Sequence, residues 1–211
     1  MLVLGATGGI GKQVVKQLLE MGEKVEFVRA LVRSASRVPT ELKSHPKLQL
    51  VEIESIDKVS VAEMAGHLQG CSAVLICLGH TMSVKGLFFS GMLVLEATKL
   101  VCQAIEEIKP KSNKIRLVEV SSIGIPAPDG ADEGNRALPT RLVLGSLAAT
   151  MPPLKDTFLS AKFLFDTIKH DHLYVDWCAP PQIEQIVPNL CAHLQWRTNC
   201  GKSGRASIPL C

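Results

Sequence analysis

Three glycines spaced three apart, Gly5, Gly8 and Gly11, separate a short aliphatic run, Met1–Leu4, from an amphipathic stretch that follows at once. Ile10, Val14, Val15, Leu18 and Leu19 fall on one face of a helix, and Gly22 supplies its stop. The chain must therefore pass from strand to turn to helix within a dozen residues. In such a turn Gly5 permits the tight bend, Gly8 lets the backbone approach a pyrophosphate, and Gly11 lets the helix pack close to the strand. The first amides of the helix and its partial positive charge suit a phosphate. This context makes Gly5-Ala6-Thr7-Gly8-Gly9-Ile10-Gly11 a candidate dinucleotide loop. The competing reading is a glycine-rich turn that binds nothing.

The next strand is expected over Lys24–Val32, ending in Arg33-Ser34. Arg33 lies 22 positions after Gly11, where an NAD-selective site carries an acid for the ribose 2′-OH at about 20 residues. Arg33 and Ser34 occupy that slot, with Arg37 close by. A guanidinium forks onto a 2′-phosphate, so the spacing favours NADP over NAD.

Beyond this point strands and helices alternate. Leu48–Ile53 reads as a third strand, followed by Glu54 and by two candidate helix caps, Asp57 and the box Ser60-x-x-Glu63. Val61, Met64, Ala65 and Leu68 form the apolar face of a short helix. Ala73–Leu78 is a continuous apolar run, as expected of a central parallel strand covered on both faces. Ala97, Leu100, Val101, Ala104, Ile105 and Ile108 make a helical stripe that ends at Pro110. Ile115–Val120 is the fifth strand and leads into Ser121-Ser122. Residues 125–140 hold three prolines and a polar run, and read as a long loop. Phe158, Ala161, Leu164, Phe165 and Ile168 mark another helix, and Leu173–Cys178 a sixth strand closed by Pro180-Pro181. The expected fold is α/β, a doubly wound parallel sheet of Rossmann type. It comprises a single domain over 1–181, with a poorly specified C-terminal tail over 182–211.

Composition narrows the function classes. Apolar residues make up 46% and charged residues 20%, which disfavours a disordered or fibrous chain. Lys and Arg number 23 against 20 Asp and Glu, and a net charge of +3 is too small to imply nucleic-acid binding. No apolar run approaches the roughly 18 to 20 residues of a membrane span. Gly201-Lys202-Ser203 resembles the end of a phosphate loop, but Trp196 stands where its first glycine belongs. His170-x-His172 and the group Cys191, His193 and Cys200 lack a second pair at ligand spacing, so no metal site is expected. Seven cysteines, an odd number without a CxxC pair, fit a reduced intracellular setting. That setting is the cytoplasm, or an organelle where an N-terminal extension precedes Met1. Cys77 and Cys102 read as small core residues.

The glycine loop, the Arg33-Ser34 strand end, Cys77-Leu78-Gly79, Val120-Ser121-Ser122 and Asp176-Trp177 together resemble the atypical short-chain dehydrogenase/reductase family. More narrowly they resemble its NAD(P)H-binding, NmrA-like branch. The resemblance covers residues 1–181. It implies a Rossmann domain with NADP at the C-terminal strand edge and the phosphates on Gly5, Ala6, Thr7, Gly8, Gly9, Ile10 and Gly11. It further implies the 2′-phosphate at Arg33 and Ser34, Glu54 near the adenine, and Leu78 and Gly79 beside a ribose. Ser121 or Ser122 falls on the family's catalytic Ser, and Lys162 on the Lys of its Tyr-x-x-x-Lys pair.

Two departures bear on activity. In Phe158-Leu-Ser-Ala-Lys162 the tyrosine slot holds Phe158, and a phenyl ring cannot exchange a proton. The only tyrosine, Tyr174, sits in an expected strand. After Asp176-Trp177 the family's Arg is missing and the stretch is shortened, with 30 residues following Pro181. Two functions stay open. One is an NADP(H)-dependent reductase or isomerase of a small organic substrate. The other is a non-catalytic dinucleotide-binding redox sensor or assembly factor with a protein partner.

Overall fold

Parallel strands buried on both faces need helices above and below them, and the chain supplies both layers. A computed structural model describes residues 1–80, 91–108, 115–120, 143, 146, 151–167 and 173–178. The strands are β1 (Leu2–Leu4), β2 (Val28–Val32), β3 (Leu48–Glu52), β4 (Ala73–Ile76), β5 (Ile115–Val120) and β6 (Leu173–Cys178). The helices are α1 (Gly9–Glu20), α2 (Thr40–Lys43), α3 (Val61–Leu68), α4 (Leu93–Ile108) and α5 (Pro152–Thr167). The six strands form one sheet in the order β3-β2-β1-β4-β5-β6, and every pairing is parallel. The strand order reverses between β1 and β4, which opens a crevice at their C-terminal ends.

Side-chain alternation divides the core in two. Leu2, Leu4, Val74, Ile76, Ile115 and Leu117 pack against Met64 and Leu68 of α3, Val101 and Ile105 of α4, and Leu164 of α5. Val3, Ala30, Val32, Leu75 and Val118 face the other way, onto Val14, Val15, Leu18 and Leu19 of α1. The described residues thus form one Rossmann-like α/β domain, as the sequence implies. Cys77 and Cys102 are buried, and burial pushes the Cys102 thiol up to about 12. No helix among the described residues is long and apolar enough to cross a membrane.

Three boundaries differ from expectation. The second strand begins at Val28 rather than Lys24, and a short 3-10 turn occupies Gly22–Lys24. Its neighbours explain this, because β1 pairs with β2 from Leu2 and Arg29 onward and β3 from Leu48 and Val28 onward. Before Val28 the Phe27 carbonyl still accepts from the Met1 nitrogen at 2.9 Å, outside the paired strands. The fourth strand ends at Ile76, although the Cys77 amide still donates to the Leu4 carbonyl at 2.9 Å. The third strand ends one residue early, at Glu52. Of the two candidate caps Ser60 is the one used, its Oγ accepting from the Glu63 amide at 3.2 Å. Ser121, Ser122, the 125–140 loop, Ile168, Pro180-Pro181 and the 182–211 tail lie outside the described residues.

One polar cluster interrupts the α4–α5 side of the core. Glu119 of β5 is 2% exposed. Its Oε2 accepts from Ser160 Oγ at 2.7 Å and from Thr98 Oγ1 at 2.9 Å. Burial pushes its carboxyl up to about 7; the two hydroxyls work against that shift and the charge of Asp156 adds to it. Between the ordinary value of 4.5 and about 7 the folded chain holds a proton that the unfolded chain has released. Glu119 therefore stabilises the fold fully at the acidic end and less as pH rises through about 7.

Two outcomes are expected. In urea unfolding, Glu119→Gln gains on the parent chain by roughly 3 kcal/mol between about pH 5 and about pH 8. A gap that stays constant over that range would exclude Glu119 as the titrating group. Leu18→Ala, at a position 0% exposed, loses about 2–5 kcal/mol, whereas Lys16→Ala on the exposed face of α1 stays within about 0.5 kcal/mol. Equal losses would contradict the assignment of that helix face.

Candidate functional site

The glycine loop is shaped by backbone contacts that leave no room for side chains. Gly5 has φ +79°, and a Cβ there would stand 2.5 Å from the carbonyl oxygen of Cys77, the residue just past β4. A Cβ on Gly11 would lie 2.1 Å from the Gly5 carbonyl oxygen. β1, the loop and α1 are locked in direct backbone contact, and the Gly8 amide closes the turn onto the Gly5 carbonyl at 2.9 Å. Gly8 and Gly9 are exposed, and a Cβ on Gly9 would meet nothing within 4 Å. Ala6 is buried, while Thr7 and Ile10 are half-buried. Gly8 caps α1 without a side-chain hydrogen bond, and the first turn carries no acid. An open glycine rim at an uncapped helix start, free of negative charge, fits an incoming anion.

Arg33 and Ser34 follow β2 directly, on the same sheet edge. Arg33 and Arg37 are exposed, and the Ser34 and Ser36 hydroxyls share a hydrogen bond of 2.7 Å. Glu52, at the end of the adjacent β3, accepts from the Ala35 amide. That carboxylate is thereby engaged by the turn. Glu54 is exposed and pairs with Lys58. Leu78 packs on the core and Gly79 is exposed, both just past β4. The glycine loop, Arg33-Ser34 and Leu78-Gly79 are thus gathered at the C-terminal ends of β1, β2 and β4. Lys162 is exposed on α5, one turn past the half-buried Phe158. A shallow cavity lined by Met1, Val25, Phe27, Gly70 and Ser72 lies at the opposite, N-terminal edge of the sheet.

The sequence reading missed a second polar arrangement at the C-terminal edge. Asp156 of α5 is fully buried. Its Oδ2 accepts from the Val94 amide at 2.8 Å and its Oδ1 from the Leu95 amide at 2.9 Å. One carboxylate from α5 therefore caps the start of α4 from across the fold. The same Oδ2 lies 2.8 Å from His80 Nε2. His80 directly follows Gly79, and its side chain is 8% exposed. For the neighbouring Glu119 cluster a signal did lie in the sequence, an acid between Val118 and Val120 in the fifth strand. Nothing local marks Asp156, because its partners are 61 to 76 residues away.

A family model described as NAD(P)H-binding matches residues 5–150. None of the curated proteins matches the chain. Among solved structures, a dTDP-glucose 4,6-dehydratase from Streptomyces venezuelae with NAD and TYD bound superimposes with a TM-score of 0.58 at 18% identity. That match covers 84% of this chain and 54% of the other. The yeast methylglyoxal/isovaleraldehyde reductase complexed with NADPH gives 0.54 at 18% identity, covering 84% and 56%. Vestitone reductase from alfalfa (Medicago sativa) gives 0.52 at 18% identity, covering 83% and 54%. At such identities the likeness is one of fold, and the chain spans little more than half the length of these structures. The family match begins at the glycine loop and extends over most of the domain, in keeping with the resemblance to atypical short-chain dehydrogenases/reductases. This chain belongs to the NAD(P)H-binding family.

Proposed function

We propose that this protein binds NADP(H) as an atypical, NmrA-like short-chain reductase or isomerase of a small organic substrate, with 1–181 as the dinucleotide-binding domain. The observation that carries the reading is the open glycine rim beside Arg33. The exposed backbone of Gly8 and Gly9 and the start of α1 take the pyrophosphate. Ala6, Thr7 and Ile10 hold that loop in place. The Arg33 guanidinium and the Ser34 hydroxyl take the 2′-phosphate, with Arg37 adding charge. Leu78 and Gly79 border a ribose, Glu54 lies toward the adenine end, and Lys162 holds ribose hydroxyls. Ser121 or Ser122 orients the reacting oxygen. A nicotinamide cofactor bound there would supply or accept a hydride.

Phe158 favours a second reading. Without a phenol beside Lys162 the family's usual proton exchange is missing, which suits a non-catalytic redox sensor or assembly factor that reports cofactor state to a protein partner. Oxidation of NADPH in the presence of methylglyoxal or a simple quinone separates the two, because a sensor turns over neither.

The cofactor assignment is tested by thermal unfolding with NADPH and with NADH. Stabilisation of about 2.7 kcal/mol is expected at NADPH a hundredfold above its dissociation constant. Arg33→Ala is expected to weaken NADPH roughly tenfold or more, as loss of a charge-assisted contact does, and to leave NADH unchanged. If neither nucleotide moves the transition, the glycine rim is empty architecture and the proposal falls. If Arg33→Ala weakens both nucleotides equally, NADP selectivity does not reside at Arg33.

A further inference from the structure

We infer that His80, oriented by Asp156, is the proton-exchanging group of the nucleotide site and takes the place of the phenol that Phe158 lacks. The inference rests on the cofactor reading above and adds a residue to it. His80 stands one residue past Gly79 at the end of β4, next to the reversal of strand order where doubly wound sheets bind ligands. The Gly5 turn presses on the same strand end, at Cys77. Asp156 Oδ2 lies 2.8 Å from His80 Nε2, and its two oxygens are fixed by the Val94 and Leu95 amides. A carboxylate held so rigidly keeps Nε2 as an N–H donor. That leaves Nδ1 as the nitrogen that gains and loses a proton. Among the described residues Nδ1 has no hydrogen-bond partner. Imidazole is the side chain whose charge changes most readily near neutral pH.

The step itself is a proton transfer. The Nδ1–H bond of the imidazolium breaks, its electron pair stays on the ring, and an O–H bond forms on the substrate oxygen; water then restores the ring proton. In the reverse direction Nδ1 accepts the proton. Among the described residues, the titratable group on His80 is Asp156 from α5; Glu119 from β5 interacts with Asp156, and the exposed Glu96 follows the Leu95 amide that Asp156 binds. The glycine loop contributes none. Glu119 is the group that could be mistaken for His80, and the test must separate them.

A proton site near the nicotinamide feels the positive charge that distinguishes NADP+ from NADPH. The experiment measures the dissociation constants of both nucleotides for the intact chain, by calorimetry, from about pH 5.5 to about pH 8. The 2′-phosphate titrates in both forms and cancels in their ratio. Preference for NADP+ over NADPH is expected to rise roughly fivefold or more with pH, to become pH-independent in His80→Gln, and to persist in Glu119→Gln. A flat ratio in the parent chain overturns the inference whether or not the variants fold. A slope that survives in His80→Gln or vanishes in Glu119→Gln also overturns it. Binding of neither nucleotide overturns the cofactor reading and this inference together, whereas binding with a flat ratio removes this inference alone.

Discussion

The backbone of Gly5 runs against β4 on one side and α1 on the other, closer than any side chain allows. With Cβ atoms at Gly5 or Gly11 the contacts would fall to 2.5 Å and 2.1 Å, so the turn exists only with glycine at both places. Much of the domain follows from it. The turn sets how near α1 lies to the sheet, and so which side chains of β1, β2 and β4 meet Val14, Val15 and Leu18. It also leaves Gly8 and Gly9 exposed at the start of α1, where no side chain caps the helix. The constraint that packs this half of the core is the one that forms the exposed glycine rim, and on the proposed reading a substitution there disturbs stability and binding together.

The opposite layer is held by a different kind of contact. Thr98, Glu119, Asp156 and Ser160 are all buried, and each is satisfied by a partner from another element. Buried polar groups of this kind are costly unless paired, and the loss of one partner strands the rest. From α5, Asp156 bonds the start of α4 and, past the end of β4, His80. Glu119 ties α4 to α5 through two hydroxyls. The helix that carries Phe158 and Lys162 is therefore docked by polar contacts as well as by Leu164. Burial pushes the Glu119 carboxyl within this cluster up to about 7.

The sequence was legible where local physics dominates. The glycine loop, the face of α1, the Ser60 box and the apolar stripe of α4 each announce themselves within a few residues, and the structure places them as read. The start of the second strand was not legible, because it depends on where β1 and β3 begin. The Asp156 cap and its contact with His80 were equally hidden. Asp156 looks like an ordinary helix acid, and His80 like a loop residue, until the fold brings α5 over the end of β4. Candidate site features built from backbone could be read from spacing, whereas those built from long-range side-chain pairs could not.

This division bears on how the two halves of a dinucleotide enzyme can diverge. Holding a dinucleotide on the proposed reading needs the glycine rim, a helix start and a cation at the β2 edge, all local features that survive as long as Gly5, Gly11 and Arg33 do. Moving a proton needs a titratable side chain at one point in space, which several elements can supply. On the proposed reading, a phenyl ring at Phe158 in the tyrosine slot removes one such group from a helix that Ser160, Asp156 and Leu164 also dock. A buried carboxylate two residues earlier on that helix, already aligned by two amides, can orient an imidazole just past the end of β4. On the proposed reading the fold therefore separates cofactor binding from proton chemistry, and Phe158 in the tyrosine slot does not by itself decide between a reductase and a sensor.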